Sequence, residues 1–148
     1  MTYEVAAGIG VADVMVACPK ILGPQSSMED LRALFRDDHV HMALVVAPDG
    51  RLMTTIERPD IPAVAPSALK VTEFGTLVGR TVRAAYPLDA ATTAMVRKGR
   101  RRLAVVDDVG RLLGLLCLKR DGSGYCSDEG IRARAAERER AHPSSPLP

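Results

Sequence analysis

The stretch from Arg102 to Leu116 reads RLAVVDDVGRLLGLL, and the stretch from Met42 to Ile56 reads MALVVAPDGRLMTTI. In each, a short apolar run rich in Val leads into a turn that contains Gly, and a second apolar run follows. Short runs of this composition indicate buried strands, and a Gly that can adopt a positive φ suits a hairpin turn. The sequence therefore predicts two hairpins. Their strands are Met42 to Ala47, Leu52 to Ile56, Leu103 to Val106 and Leu112 to Leu118.

The two hairpins belong to an internal repeat, because a shift of 60 positions places one upon the other without gaps. The same shift aligns two apolar stripes with helical spacing, which predicts one amphipathic helix in front of each hairpin. The stripes are Met28, Leu31, Leu34 and Phe35 in the first copy, and Leu88, Ala91, Ala94 and Met95 in the second. Upstream, Lys20 to Leu22 and Thr81 to Arg83 can each add a short strand. The repeated unit is strand, helix, strand, strand, and the fold class is α+β.

Between the copies, Pro59, Pro62 and Pro66 interrupt any continuous element. Ser67 is a suitable N-cap, which predicts a helix from Ala68 to about Leu77. The charged segment from Ser127 to Arg140 predicts a solvated helix, followed by a disordered tail rich in Pro and Ser. The resulting organisation is an N-terminal segment 1–8, a first repeat 9–61, a linker and helix start 62–75, a second repeat 76–121, and a charged helix and tail 122–148.

The net charge of +2 over 148 residues conceals an acidic half and a basic half. Residues 1–75 carry 6 basic and 10 acidic side chains, whereas residues 76–148 carry 14 basic and 8 acidic ones. Aromatic residues make up 3% of the chain and Trp is absent, which argues against a base-stacking platform for nucleic acid. The sequence contains no secretory signal, no apolar run long enough to span a membrane and no catalytic motif, so we expect a cytoplasmic protein that is not an enzyme.

Val11 to Met15, followed by a helix and by Ala43 to Leu52, resembles the cystathionine beta-synthase (CBS) domain. Arg102 to Leu116 resembles it more closely, and the two copies together, from about residue 9 to residue 121, resemble the tandem CBS pair known as a Bateman module. The resemblance implies a pseudo-two-fold pair of small β-sheets packed through their faces and flanked by helices. It also implies a regulatory homodimer without catalytic activity. Such modules bind adenosine-containing ligands (AMP, ADP, ATP or S-adenosylmethionine) between their repeats and signal to a regulated partner protein.

In the family pattern a Ser or Thr follows the last strand, and an Asp three residues later accepts hydrogen bonds from the ribose hydroxyls. Asp60 stands at the Asp position of the first repeat and Glu57 at the hydroxyl position, while Cys117 and Arg120 occupy these positions in the second. The candidate ligand-binding residues are Ile21, Leu22, Glu57, Arg58, Asp60, Arg101, Arg102, Cys117 and Arg120. Two alternatives stay open: Asp60 caps a short helix after Pro59, or the departures from the pattern mark a ligand-free dimerisation module.

The densest group of like charges is the run from Arg97 to Arg102, which contains five cations. Cations at a helix C-terminus interact favourably with its dipole, and the same run can contact nucleotide phosphates. Binding to a nucleic-acid backbone is a third and less favoured reading.

Two further groups have a functional and a structural reading. Asp37, Asp38, His39 and His41 are metal-ligand types in close order, but their spacing favours a solvated loop that closes a helix, and we expect no metal. The three cysteines, Cys18, Cys117 and Cys126, form no C-x-x-C pair and are expected to be reduced thiols. Cys126 is either a redox-active residue or, as the favoured reading, an inert thiol.

Overall fold

The computed structural model describes residues 9–64 and 66–127. The predicted N-terminal segment 1–8 and the charged helix and tail predicted beyond residue 127 lie outside these ranges. Within them, no helix is both long enough and apolar enough to cross a membrane.

The described chain consists of two units with the same order of elements, which confirms the α+β fold expected of a repeat. The first unit contains β1 (Ile21–Leu22), α1 (Met28–Phe35), β2 (Met42–Val46) and β3 (Leu52–Glu57). The second contains β4 (Thr81–Arg83), α2 (Leu88–Arg97), β5 (Arg102–Val106) and β6 (Leu112–Cys117). Each unit forms a three-stranded sheet, in the order β1-β2-β3 or β4-β5-β6, whose first pair of strands is parallel and second antiparallel.

Each helix packs one apolar stripe against its own sheet, as the spacing predicts. In α1 the buried positions are Met28, Leu31 and Phe35, and in α2 they are Ala91 and Met95. The start of α1 is fixed by a capping box, in which the Asp30 backbone N–H donates to the Ser27 side chain and the Ser27 N–H donates to the Asp30 carboxylate. This arrangement satisfies two of the backbone donors that a helix N-terminus leaves unpaired.

The two sheets pack through their faces, which confirms the expected pseudo-two-fold arrangement. A separate apolar cluster lies between them and consists of Met42, Leu44, Leu52, Ala104 and Val106, with Val46, Leu112 and Leu115 at its edge. The hairpin turns also exchange backbone hydrogen bonds, from Leu52 N–H to the Gly110 carbonyl and from Leu112 N–H to the Gly50 carbonyl, both at 2.9 Å. Gly50 and Gly110 have φ values of 93° and 89°, so glycine is needed at the same place in both copies.

The predicted helix from Ala68 to Leu77 is wrong, because this segment contains a single 3-10 turn, Val71–Glu73. Its backbone groups are used by the first repeat instead. Met28 N–H donates to the Leu69 carbonyl at 2.7 Å, and Val71 N–H donates to the Ser26 carbonyl at 2.9 Å. The linker therefore pairs with the start of α1, and these tertiary hydrogen bonds replace the intrahelical ones that a Ser67-capped helix would make.

Candidate functional site

A basic cleft of about 260 Å³ lies where the end of β3 in the first repeat faces the loop between α2 and β5 in the second. Five of its lining residues are cationic and one is acidic. The lining consists of His41, Glu57, Arg58, Pro59, Lys98, Gly99, Arg100, Arg101 and Arg102. The cleft is therefore suited to an anion, and its walls come from both repeats.

A second, apolar cavity of about 350 Å³ adjoins the cleft on the side of the second repeat. It lies between β4, α2 and β5, and it shares Lys98 and Arg100 with the cleft. Its other walls are mostly apolar or small residues, namely Gly79, Thr81, Val82, Tyr86, Ala91, Ala94, Met95, Leu103 and Val106, and Arg83 adds a third cation to the lining. The two spaces together offer an apolar compartment and a cationic compartment with a common border.

Four charged side chains beside the cleft form one ion-pair network that joins the repeats. The Asp60 carboxylate accepts two hydrogen bonds from Arg80, at 2.6 and 3.1 Å. The Glu57 carboxylate lies 3.3 Å from Arg80 and accepts a hydrogen bond of 2.6 Å from Arg100. Both acids come from the first repeat and both arginines from the second, so the opposite charges of the two copies meet here.

Arg80 is the centre of this network and is 8% exposed. Besides Asp60, its guanidinium donates to the Thr55 carbonyl at 3.2 Å. The hydrogen bond from Arg80 lowers the pKa of Asp60 below its usual value, and the same bond raises the pKa of Arg80. Asp60 also accepts a hydrogen bond from the Glu57 backbone N–H at 2.8 Å, within the 3-10 turn Arg58–Asp60. This second contact is a capping interaction of Asp60, but the turn that it caps begins at Arg58 and not after Pro59.

His41 lies on the wall of the cleft among the cations. Burial lowers its pKa to about 4, and the positive charges of Arg102, Arg101 and Arg58 contribute to the shift. The imidazole is therefore neutral at pH 7 and does not add to the positive charge of the cleft. Arg58 is held in place by hydrogen bonds to the Asp37 and Val40 carbonyls, at 3.2 and 2.8 Å, and by the Phe35 ring beneath its guanidinium.

Cys117 lies behind the cleft, at the end of β6. It is directly opposite Arg102 in the register of β5 and β6, and it is 6% exposed. Burial raises the pKa of its thiol to about 11, and a hydrogen bond with Cys126 adds to this shift. Cys117 is therefore a neutral thiol at pH 7 and does not bear charge toward the cleft.

The structure brings together only part of the candidate set. Glu57, Arg58, Arg101 and Arg102 line the cleft, and Asp60 is connected to it through Arg80. The remaining residues do not line the cleft: Ile21 is 53% exposed on β1, Leu22 packs against the core of the first repeat, and Arg120 is exposed in the turn after β6.

Sequence reasoning missed Arg80 and the apolar cavity. The repeat itself holds a signal for the cavity, since the shift of 60 positions carries Ile21 and Leu22 onto Thr81 and Val82, which line it. The sequence therefore indicated the correct position of the repeat, but in the first copy, whose residues Ile21 and Leu22 do not line this cavity. The same shift carries Lys20 onto Arg80, but it does not indicate the partners of Arg80, which are 20 and 23 positions away in sequence.

The candidate metal ligands lie in the loop between α1 and β2. Asp37 forms an ion pair with Lys20 at 3.3 Å and accepts a hydrogen bond from the His39 backbone N–H. In residues 9–64 and 66–127, no three His, Cys, Asp or Glu side chains are grouped closely enough to hold a metal ion.

Residues 80–120 match the family model of the CBS domain. No curated protein matches the chain, but many solved structures share its fold. The CBS domains of a transcriptional regulator from Streptococcus pneumoniae have a TM-score of 0.64 at 15% identity, over 74% of this chain and 93% of that one. The protein CBSX2, in complex with AMP, has a TM-score of 0.65 at 22% identity, over 88% and 99%. A CBS domain protein from Pyrobaculum aerophilum, complexed with AMP, has a TM-score of 0.61 at 19% identity, over 77% and 95%.

Proposed function

We propose that this chain, which has the fold of a tandem CBS domain pair, binds an adenine nucleotide between its repeats and acts as a regulatory module without catalytic activity. The observation that carries the proposal is the common border of the apolar cavity and the basic cleft at Lys98 and Arg100. A nucleotide has the same division, with an apolar base at one end and anionic phosphates at the other. The AMP complexes of two proteins with this fold support the choice of ligand.

In this proposal the base occupies the apolar cavity, whose volume is within the range of small-molecule sites, roughly 300–1,000 Å³. The phosphates extend into the cleft toward Arg101 and Arg102, because a guanidinium can form paired, charge-assisted hydrogen bonds with phosphate oxygens. S-adenosylmethionine carries a positive sulfonium in place of phosphates. The five cations of the cleft therefore favour AMP, ADP or ATP over S-adenosylmethionine.

Glu57 gives the site a way to respond to its ligand. Its carboxylate accepts a hydrogen bond of 2.6 Å from Arg100, at the border of the two compartments. A phosphate that approaches Arg100 competes with this carboxylate for the same donor. Binding then exchanges an ion pair between the repeats for one with the ligand, and this difference between the two states is what regulation of a partner protein requires.

Isothermal titration calorimetry with AMP, ADP, ATP and S-adenosylmethionine tests the proposal. We expect at least one phosphate-bearing nucleotide to bind with a Kd below about 1 mM, that is, more tightly than about −4 kcal/mol. Arg101→Gln should weaken binding roughly tenfold. Arg111→Gln is the matched control, since Arg111 lies in the β5–β6 turn outside the cleft, and it should leave the Kd unchanged. Absence of binding by all four compounds would refute the proposal.

The second candidate function is a ligand-free dimerisation module, and the same ion-pair network favours it. Both possible hydroxyl acceptors, Glu57 and Asp60, are already engaged by arginines of the chain itself. Analytical ultracentrifugation with and without AMP distinguishes the two functions: we expect a homodimer in both, but a sedimentation change with AMP only for a sensor.

Salt-dependent retention on DNA or RNA would instead indicate a nucleic-acid role for the run from Arg97 to Arg102. The proposal also includes signalling to a regulated partner protein and a cytoplasmic location.

A further inference from the structure

The second repeat contains a pair of cysteine side chains that contact each other. Cys117 ends β6, and its Sγ atom lies 2.7 Å from the Sγ atom of Cys126. The backbone is joined at the same place, because the Cys126 N–H donates to the Cys117 carbonyl at 2.7 Å. The two sulfur atoms are thus held together by a hydrogen-bonded backbone and not merely by side-chain rotation.

The backbone register around the pair is that of two antiparallel strands. Leu118 and Tyr125 form an antiparallel bridge, and the hydrogen bonds that flank it run from Lys119 N–H to the Gly124 carbonyl and from Cys126 N–H to the Cys117 carbonyl. Cys117 and Cys126 are therefore opposite each other, one position beyond this bridge, and one backbone hydrogen bond joins them. The Cα atoms of opposite residues in antiparallel strands are about 4.5–5.5 Å apart, which is within the range of about 4.4–6.8 Å that disulfides require.

We propose that Cys117 and Cys126 are a redox modification site that forms a reversible intramolecular disulfide across these strands. The proposal does not depend on nucleotide binding. It assigns Cys126 the redox role that the sequence left open and gives it a defined partner. Cys18, the third cysteine, has no part in it.

The accessibility of the two thiols sets the order of the reaction. Cys117 is buried, whereas Cys126 is only partly buried, so an oxidant reaches Cys126 first. With a low-molecular-weight disulfide RSSR, the Cys126 thiolate attacks one sulfur and displaces RS⁻, which leaves a mixed disulfide on Cys126. Cys117 then loses its proton and its thiolate attacks the Cys126 sulfur, displacing the second RS⁻. Two protein thiols and RSSR give one protein disulfide and two RSH, so that two electrons and two protons pass to the small disulfide.

Burial raises the pKa of the Cys117 thiol, and two neighbouring cations offset part of this cost in the second step. The thiol is directly opposite Arg102 in the sheet, and the positive charges of Arg102 and Arg101 stabilise the thiolate against the effect of burial. A guanidinium beside a buried thiol is the arrangement that lowers the cost of forming the attacking thiolate. The disulfide, once formed, closes the turn from Lys119 to Gly124 and ties it to the strand behind the basic cleft.

The test is a redox titration of the purified full chain. Protein reduced with dithiothreitol is equilibrated with graded ratios of oxidised to reduced glutathione, quenched in acid, alkylated and digested with trypsin. The two cysteines fall on separate tryptic peptides, Leu112 to Lys119 and Asp121 to Arg132, so a disulfide appears as a single linked mass. We expect this linked mass to accumulate as the ratio rises and to disappear after addition of dithiothreitol, while the Cys18 peptide remains alkylated. The oxidised form should also melt at least about 3 °C higher, because the cross-link restricts the unfolded chain.

Variants in which one cysteine is replaced distinguish the order of the steps. Of these, Cys126→Ser leaves the buried side chain of Cys117 intact. Cys117→Ser should trap glutathione on Cys126, at least about fivefold more than Cys126→Ser traps it on Cys117, since the buried thiol is the less accessible one. Cys18→Ser is the matched control and should form the linked peptide as the unaltered chain does. The proposal is overturned if both peptides remain alkylated at every ratio, if Cys126 retains glutathione in the unaltered chain, or if the disulfide joins Cys18 or two chains.

Discussion

The carboxylate of Asp60 and the guanidinium of Arg80 form a two-point ion pair, with hydrogen bonds of 2.6 and 3.1 Å, between the first repeat and the second. Arg80 is almost completely buried. A pair in this setting has a large effect when one partner is removed, because the remaining charge is left without compensation away from water. The acidic first repeat and the basic second repeat are therefore connected by an ion pair at this point.

Asp60→Asn should lower the free energy of unfolding by about 2–3 kcal/mol, because it keeps the shape of the side chain but leaves Arg80 without its charged partner. Urea unfolding followed by circular dichroism measures this change. Glu29→Gln is the control: it disrupts an exposed ion pair with Arg36, 3.6 Å long, and should cost less than about 0.5 kcal/mol. Equal losses for the two variants would show that the Asp60 pair contributes no more than a surface contact.

The same pair predicts a loss of stability in acid. Because Arg80 lowers the pKa of Asp60, the unfolded chain takes up a proton at a higher pH than the folded chain does. The contribution of Asp60 is therefore fully present above the unfolded pKa of about 4 and is lost as the pH falls through the lower folded value. The difference in unfolding free energy between the unaltered chain and Asp60→Asn, measured from pH 6 to pH 2.5, should shrink in acid. A constant difference would contradict the prediction.

Asp60 also shows which features of the site the sequence could predict and which it could not. Its position ten residues after Gly50, together with the repeat, was sufficient to place it at the end of the first hairpin and near the cleft. Its partner could not be found in the same way, because Arg80 immediately precedes β4 and resembles other isolated arginines of the basic half. Local patterns determine the helices and strands, whereas a contact between residues 20 positions apart depends on how the two sheets pack.

The linker illustrates the same limit. Ser67 and the residues after it have a reasonable helical pattern, but Leu69 and Val71 pair with the beginning of α1. Nothing within the segment itself indicates those partners. Gly75 is a local sign against a helix that continues to Leu77, because glycine is unfavourable in a helix interior. In the structure its φ is 85°, which helical backbone does not allow.

Gly75→Ala should destabilise the fold strongly, by roughly 3 kcal/mol or more. A Cβ atom at this position would lie 2.1 Å from the Thr55 carbonyl oxygen and 2.8 Å from an atom of Ile56, in addition to requiring a positive φ. Gly79→Ala is a matched control, because Gly79 also has a positive φ, 73°, but a Cβ there meets nothing within 4 Å. The control should cost only about 1–2 kcal/mol. Thermal unfolding of both variants measures the difference, and similar melting temperatures would contradict the close approach of the linker to β3.

Leu44→Ala tests whether the two repeats unfold together. Leu44 is fully buried in the apolar cluster between the sheets, so its truncation should cost about 3 kcal/mol. Because the cluster is shared, the variant should show a single transition at a lower urea concentration, with both repeats affected. Leu113→Ala is the control, since Leu113 is 37% exposed, and it should cost less than about 1 kcal/mol. Two separate transitions in the Leu44 variant would show that the repeats are stable independently.

His41 offers a direct test of where the phosphates bind. Burial and the cations Arg102, Arg101 and Arg58 lower its pKa to about 4. The stability that depends on the neutral imidazole is therefore present above the unfolded pKa of about 6.5 and declines as the pH falls toward 4.

A phosphate in the cleft would offset these positive charges and raise the pKa of His41 toward its ordinary value. Nuclear magnetic resonance of the imidazole carbons from pH 3.5 to 8, with and without saturating AMP, measures the shift, and His41→Gln assigns the signal. An unchanged pKa of His41 in a sample saturated with AMP would place the phosphates outside the basic cleft.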